Sequence, residues 1–211
     1  MKGVRNLLTL AAILALGASV TLAQEAVTPA PAGSSQPAAP AATADPAGLA
    51  AWEKVYAVFA HPRCANCHVE DDHPRWSGPH YGPQPRFHAF NVKRGDDGSG
   101  FGNAGLRCTT CHFSSNSNVL HGPPGAENWH LAPVEMAWFG KSSAAICAQI
   151  KDPARNGDRS LEEVALHVRD DKLVGWGWAP GPGREPAPGS AEETYQAIKA
   201  WTAAGAQCPP E

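Results

Sequence analysis

Four of the six cysteines in this 211-residue chain stand in one repeated pattern, Cys-x-x-Cys-His, which constrains the fold more than any other feature. In such a motif the two thiols form thioethers with the vinyl groups of a haem, and the adjacent histidine ligates the iron. The spacing suits this chemistry because one tight turn presents both sulfurs to neighbouring vinyl groups, and the next residue projects beneath the iron. The two motifs consist of Cys64, Cys67 and His68, and of Cys108, Cys111 and His112.

The motifs predict two covalently bound haem c groups, and two haems would also account for an unusual composition. The chain contains 21 glycines and 20 prolines, and only 18% of its residues are charged. Coiled coils and long helical bundles need long stretches without Gly and Pro, so this composition argues against both. Such a chain can instead wrap two large apolar macrocycles. We therefore expect a small di-haem cytochrome c architecture, mostly α with long ordered loops, in which the haems form the core.

Three other uses of paired cysteines fit the sequence less well. A zinc site would place its two pairs roughly 15–20 residues apart, whereas the whole of 68–107 separates the pairs here. A thioredoxin-like redox pair belongs in a βαβ context, and no such pattern surrounds either motif. A disulfide within each pair leaves the histidine that follows both motifs unexplained.

The N-terminal segment 1–23 has the pattern of a Sec-type signal peptide. Lys2 and Arg5 precede an apolar run at 7–16 that is too short to span a bilayer, and a plausible cleavage site ends at Ala23. Residues 24–48 are rich in Ala and Pro and predict a disordered linker. We expect export to the periplasm, with the di-haem domain at 49–211. Association with a membrane through an uncleaved signal or the linker is the alternative.

The predicted helices lie outside the two motifs. Asp45 and Pro46 resemble an N-cap and a first helical residue, and the apolar side chains of 49–59 then fall on one helical face. Ser160 and Ser190 each stand three residues before a glutamate, which is the spacing of a capping box. Further helices are predicted at 134–139, 143–150, 161–169 and 191–204. Long loops are predicted at 70–107 and 113–132, and no segment shows a convincing strand pattern.

Each iron has a second axial position, and the sequence limits what fills it. Met136 is the only methionine besides Met1, so at most one haem is ligated by His and Met once the signal peptide is lost. For the first haem we expect a nearby histidine, above all His88, which lies in an apolar Phe-His-Ala-Phe segment. For the second we expect His121, which opens a rigid Gly-Pro-Pro-Gly turn, or Met136, for which core packing is the alternative. His167, beside valines in mid-helix, is interpreted as structural.

One arginine and two cysteines complete the predicted site residues. Arg107 directly precedes Cys108, so it is expected near the second haem as a contact for an anionic propionate, with a solvated surface charge as the alternative. Cys147 and Cys208 lie outside the motifs and are predicted to form a disulfide, because the compartment is oxidising. This bond would tie the C-terminal tail to the helix at 143–150. A redox-active pair is the alternative.

Several segments beside the motifs contribute to a resemblance to a known family. They are His61-Pro62-Arg63-Cys64, 100–112, His121-Gly122-Pro123-Pro124-Gly125, Trp129-His130-Leu131-Ala132-Pro133 and 151–157. The two motifs resemble those of di-haem c-type cytochromes, and most of 49–208 is similar to a bacterial family labelled isoquinoline 1-oxidoreductase subunits. The resemblance implies an exported electron-transfer partner of a molybdenum-dependent hydroxylase or aldehyde dehydrogenase. The chain has no molybdopterin or iron–sulfur signature of its own, so it is not expected to be the hydroxylating subunit.

Two classes of function follow as expectations. The first is a carrier that passes single electrons from a periplasmic dehydrogenase or molybdenum hydroxylase to a respiratory acceptor. The second is a di-haem enzyme, peroxidase-like or acting on sulfur compounds, which needs one open iron site. The sequence favours an electron-transfer subunit of an oxidoreductase over an enzyme in its own right. The net charge of −3 argues against a general nucleic-acid-binding protein, which needs a basic face.

Overall fold

The computed structural model describes residues 45–82 and 84–211. The predicted signal peptide (1–23) and all but the end of the predicted linker (24–48) lie outside the described residues. Within the described part the regular structure is mostly helical, which confirms the predicted class. This part contains seven α-helices: α1 (Pro46–Phe59), α2 (Pro62–Ala65), α3 (Ser143–Lys151), α4 (Pro153–Asn156), α5 (Leu161–Asp170), α6 (Lys172–Gly175) and α7 (Ala191–Ala203). None of them is long and apolar enough to cross a membrane.

Three of the helices build an apolar core, because α7 packs against both α1 and α5. Trp52 of α1 and Trp201 of α7 are fully buried, and their ring centres lie 4.9 Å apart. Ile198 of α7 is fully buried in the same cluster. The indole N–H of Trp52 donates to the hydroxyl of Ser143 over 2.8 Å, which connects the cluster to α3. Side chains alone fill this part of the core. The sequence-based expectation named only the haems as the core and did not include this cluster.

Three of the helices, α1, α5 and α7, begin at the caps that the sequence predicts. The Asp45 side chain accepts the N–H of Ala47 at 2.9 Å, so α1 begins at Pro46, inside the segment predicted as linker. Ser160 and Glu163 form the complete capping box of α5. These caps are local in the chain, which is why the predicted helices at 161–169 and 191–204 are confirmed to within about a residue. The helix predicted at 143–150 is confirmed equally closely.

The helix predicted at 134–139 is wrong, because the backbone of this segment bonds elsewhere. The N–H groups of Trp138 and Phe139 both donate to the carbonyl of His68, at 2.8 and 3.0 Å. The N–H of Met136 closes a turn onto the carbonyl of Pro133 at 3.0 Å. The segment is therefore a turn that is tied to the first motif.

The expectation of no strands is also wrong in detail. Two antiparallel ladders interrupt the long loop: β1 (Arg75–Trp76) pairs with β2 (Arg86–Phe87), and β3 (Gly102–Asn103) pairs with β4 (Leu106–Arg107). Strands of two residues are too short to leave an alternating pattern in the sequence. They matter here because β4 leads directly into the second motif.

The predicted disulfide between Cys147 and Cys208 is confirmed. The two Cα atoms lie 5.6 Å apart and the sulfurs are bonded. Cys147 is fully buried in α3, so the bond fixes the chain beyond α7 against the helical core.

Candidate haem sites

The first Cys-x-x-Cys-His motif begins in the short helix α2. Nδ1 of His61 caps this helix by accepting the N–H of Arg63 at 3.2 Å, and a proline occupies the first helical position. The turn continues past the helix, because the N–H groups of Cys67 and His68 both donate to the carbonyl of Cys64, at 3.1 and 3.3 Å. Both sulfurs and the imidazole therefore project from one tight turn.

The second motif repeats this backbone pattern in different surroundings. The N–H groups of Cys111 and His112 donate to the carbonyl of Cys108, at 3.2 and 3.0 Å. Here the turn is a short 3₁₀ segment that follows β4 instead of a helix. The spacing of the motif itself is therefore enough to form the turn.

A backbone carbonyl holds each motif histidine. Nδ1 of His68 lies 2.8 Å from the carbonyl oxygen of Met136, and Nδ1 of His112 lies 2.8 Å from that of Pro124. Because a carbonyl only accepts, Nδ1 must carry the proton, which leaves the lone pair of Nε2 for a metal. Burial lowers the pKa of His68 to about 4 and also lowers the pKa of His112. Both rings are therefore neutral at neutral pH, the form that ligates metals.

A close crossing of the loop supports the Pro124 carbonyl. A Cβ at Gly125 would lie 2.1 Å from the carbonyl oxygen of Ser115 and 2.5 Å from that of Phe113, so only glycine fits there. The N–H of Gly125 donates to Oδ1 of Asn116 at 3.1 Å. The Gly-Pro-Pro-Gly segment thus positions the acceptor of His112.

A cavity of about 330 Å³ adjoins the first motif, and Cys64, Cys67 and His68 line it. Much of its wall is apolar, with side chains that include Val58, Phe59, Trp138, Val164, Val168 and Val174. The polar side chains at its wall include Arg63, His130, Arg159, His167 and Asp171. A mostly apolar cavity with a few polar groups is typical of cofactor sites.

Stacked aromatic rings fix the plane of the His68 imidazole. The ring lies parallel to Trp138, with centres 3.5 Å apart and planes within 1°. Trp138 in turn stacks on Phe59 at 4.3 Å. Together with the Met136 carbonyl, this stack leaves the imidazole little freedom to rotate.

A larger cavity of about 890 Å³ adjoins the second motif, and Cys108, Cys111 and His112 line it. The other histidines at its wall are His80, His88, His121 and His130. The ring centre of His88 lies 5.9 Å from that of His112, with the planes at 61°. Two imidazoles that bind one metal from opposite sides have centres about 6 Å apart, given metal–nitrogen bonds of about 2 Å. The two rings therefore have the spacing of paired axial ligands.

The two cavities adjoin each other. The residues that line both are Arg63, Cys67, Trp129, His130 and Trp176. Trp129 also stacks on His112, with ring centres 4.5 Å apart and planes within 1°. Macrocycles bound at the two motifs would therefore be neighbours.

The motif thiols do not have the properties of a redox-active pair. Burial raises the pKa of Cys64 to about 12, and burial together with the nearby Cys108 raises that of Cys67 to about 11. Redox-active Cys-x-x-Cys pairs have lowered thiol pKa values. In residues 45–82 and 84–211 no group of three or more His, Cys, Asp or Glu side chains is arranged to hold a metal ion.

The structure reverses the expected partners of two candidate ligands. His88, expected at the first haem, lies beside His112 and lines the second cavity. Met136, expected at the second haem, is absent from the wall of the second cavity and lines the first. Sequence order misleads here because the β1–β2 ladder carries His88 over to the second motif, and the turn at 133–139 returns to His68.

The remaining predicted residues of the second site lie at its cavity. His121 lines it in a left-handed conformation (φ 56°), and its ring centre lies 5.7 Å from that of His80. Arg107 also lines it. The arginines that line one or both cavities are Arg63, Arg75, Arg107, Arg159 and Arg184. Arg75 is already paired with the carboxylate of Asp71, whereas the other four have no acidic partner among the described residues and are available to an anionic group at the edge of a macrocycle.

Sequence reasoning passed over the role of two wall residues. His167 was interpreted as structural, but it lines the first cavity together with Val164 and Val168 of the same helix. Their spacing of i, i+3 and i+4 places them on one helical face, so the signal was present in the sequence. The other wall residue is Trp129, which stacks on His112. No local pattern predicts that it stacks on His112.

Comparison of the chain with protein-family models, with curated proteins and with solved structures gives no match. The similarity to isoquinoline 1-oxidoreductase subunits therefore stays a prediction. The geometry of the two motifs and their cavities carries the functional argument.

Proposed function

We propose that this protein is an exported di-haem c-type cytochrome that passes single electrons between redox partners. One observation carries the proposal: each motif histidine lines a cavity beside its own two cysteines, and its Nδ1 bonds to a backbone carbonyl. Covalent haem attachment needs the two sulfurs, a free Nε2 and space for the macrocycle together. When bound, each haem supplies an iron that accepts and releases one electron.

The residues around the second motif favour electron transfer over bond chemistry. His88 and His112 have the spacing of two axial ligands, and such a pair leaves no coordination position for a substrate. The two cavities share wall residues, among them Cys67, so an electron moves between the sites over a short distance. Arg63 lines both cavities and adds positive charge beside both.

Exposed apolar side chains near the second motif offer a surface for a redox partner. Cys111 is exposed, and the neighbouring Phe113 is 68% exposed. Val119 and Leu120, on the loop that leads to His121, are each 67% exposed. Apolar rims of this kind are typical of interaction sites. We propose that a periplasmic dehydrogenase or molybdenum hydroxylase and a respiratory acceptor are the partners.

The experiment is to produce the full chain in a bacterium that matures c-type cytochromes and to count haems that stay attached after denaturation. We expect two covalent haems per chain in the periplasmic fraction, and one in each of the double variants Cys64→Ala/Cys67→Ala and Cys108→Ala/Cys111→Ala. Purified protein that carries zinc, or no covalent haem, would contradict the proposal.

A second measurement separates the carrier from an enzyme with an open iron site. Reductive titration of the purified protein is expected to take up two electrons per chain. Carbon monoxide is expected to leave the spectrum of the reduced protein unchanged, and peroxide is expected not to turn over. Rapid binding of carbon monoxide to one haem, together with peroxide turnover, would favour the di-haem enzyme instead.

A further inference from the structure

Several side chains near the first motif have the chemistry of a second axial ligand for its haem. Their positions at the cavity favour one of them. The histidine and methionine side chains that line this cavity, apart from His68, are His130, Met136 and His167. An axial ligand must stand over the centre of the macrocycle, on the side opposite to His68.

Met136 is too short to reach that position. Its carbonyl oxygen accepts the Nδ1 proton of His68 at 2.8 Å, so its backbone lies behind the His68 ring. With metal–ligand bonds of about 2 Å, the opposite axial position lies about 9 Å from that oxygen. A methionine sulfur lies at most about 6–7 Å from its own carbonyl oxygen, given ordinary bond lengths. The thioether of Met136 therefore belongs to the cavity wall on the His68 side.

His130 stands at the boundary between the two sites. It lines both cavities, its Nδ1 bonds to the carbonyl of Asn128, and its ring stacks on Phe101 with centres 4.7 Å apart. Phe101 belongs to the loop that leads into the second motif. A ring held against that loop is fixed at the edge that the two cavities share.

His167 reaches the first cavity from a different element, the helix α5. It lies on α5, whose Val164 and Val168 line the same cavity, so this face of the helix is one wall of the site. Its Nδ1 lies 3.6 Å from Oδ2 of Asp171, one helical turn further on. The other oxygen of that carboxylate accepts the N–H groups of Leu173 and Val174 at 2.8 and 3.1 Å. The carboxylate is therefore held in place. It faces Nδ1 of His167, so Nε2 of the same ring is not engaged by Asp171.

We propose that Nε2 of His167 is the second axial ligand of the haem held by Cys64, Cys67 and His68, and that Asp171 is its positioning residue. The inference rests on the proposed function, because it needs the haem to be attached. With His88 at the second motif, both haems then have two histidine ligands. Bis-histidine ligation gives lower reduction potentials than His/Met ligation.

The test is electron paramagnetic resonance and absorption spectroscopy of the purified oxidised di-haem protein. The wild type is expected to be low-spin at both haems. His167→Ala is expected to convert half of the haem to high-spin, and added imidazole is expected to restore it. His167→Met keeps an axial ligand, and we expect it to stay low-spin with one potential raised. His130→Ala and Met136→Leu are the matched controls, and both are expected to stay low-spin throughout.

Attached haem is counted on the same samples, which keeps two failures apart. A wild type without covalent haem contradicts the proposed function itself. Two attached haems that both stay low-spin in His167→Ala, or a loss of low-spin haem in His130→Ala or Met136→Leu, overturns the assignment of His167 alone. If His167→Ala does not accumulate, the reduction potentials of His167→Met test the assignment. One raised potential supports His167 as the ligand, and two unchanged potentials count against it. For Asp171→Asn we expect two attached haems and an altered low-spin signal at one of them.

Discussion

The ring centres of His88 and His112 lie 5.9 Å apart across the cavity of the second motif, although a long loop separates the two residues in the chain. Nδ1 of each ring bonds to a backbone carbonyl, of Ala89 for His88 and of Pro124 for His112. Each ring therefore has a free Nε2. No other histidine ring at this cavity pairs with His112 in this way, within the described residues.

We predict that His88→Ala loses the low-spin signal of one haem and keeps both haems attached. The variant removes an axial ligand and leaves the thioethers and His112 in place. Electron paramagnetic resonance of the oxidised protein measures the loss, and added imidazole should reverse it. His80→Ala and His121→Ala are matched controls, because both histidines line the same cavity. A loss of low-spin signal in His121→Ala, with His88→Ala unchanged, would move the assignment to His121.

The sequence alone predicts those features of the fold and the site that depend on contacts between residues close together in the chain. The capping box of Ser160 and the turn of each motif depend on residues within a few positions, so α5 and the attachment sites follow from the pattern. The axial partner of His112 depends on how the loop folds back, and nothing local records it. The same is true of 134–139, where N–H groups donate to the carbonyl of His68 instead of closing a helix.

Removal of the disulfide is predicted to lower stability strongly. Cys147 and Cys208 are 61 positions apart, and closing such a loop is worth about 4 kcal/mol in the chain-entropy model. We expect Cys147→Ala, Cys208→Ala and the double variant to lose similar amounts in denaturant unfolding of the haem-loaded protein. Equal stability of wild type and double variant would show that the bond does not constrain the unfolded chain. The haem spectra should be unchanged in all three.

The cap of α2 makes stability depend on pH. Burial, together with the charge of Arg63, lowers the pKa of His61 below its ordinary 6.5, against an opposing effect of Glu185. Since the pKa of His61 is lower in the folded than in the unfolded protein, the unfolded state binds more protons as pH falls. The contribution of His61 to the free energy of unfolding is therefore fully present above pH 6.5. It is lost as pH falls through the pKa of the folded state. A protonated Nδ1 can no longer accept the N–H of Arg63. His61→Ala should therefore cost about 1 kcal/mol near neutral pH and less in acid.

The matched variant for this effect is His61→Asn, whose side-chain oxygen caps a helix without titrating. Its stability, followed by denaturant unfolding of the haem-loaded protein at several pH values, should fall less than that of the wild type on acidification. A constant difference between wild type and His61→Ala at every pH would show that the cap does not titrate.

Three arginines are predicted to tune the two reduction potentials separately. Arg63 is buried beside both cavities, where its Nε donates to the carbonyl of Glu185 at 2.6 Å, whereas Arg159 lines only the first cavity and Arg184 only the second. A positive charge favours the reduced iron, so Arg63→Gln should lower both midpoint potentials by on the order of tens of millivolts. Arg159→Gln and Arg184→Gln should each lower one, and Arg155→Gln, whose exposed side chain lines neither cavity, should lower neither. Spectroelectrochemical titration measures all four. A shift of only one potential in Arg63→Gln would show that the two sites do not share this charge.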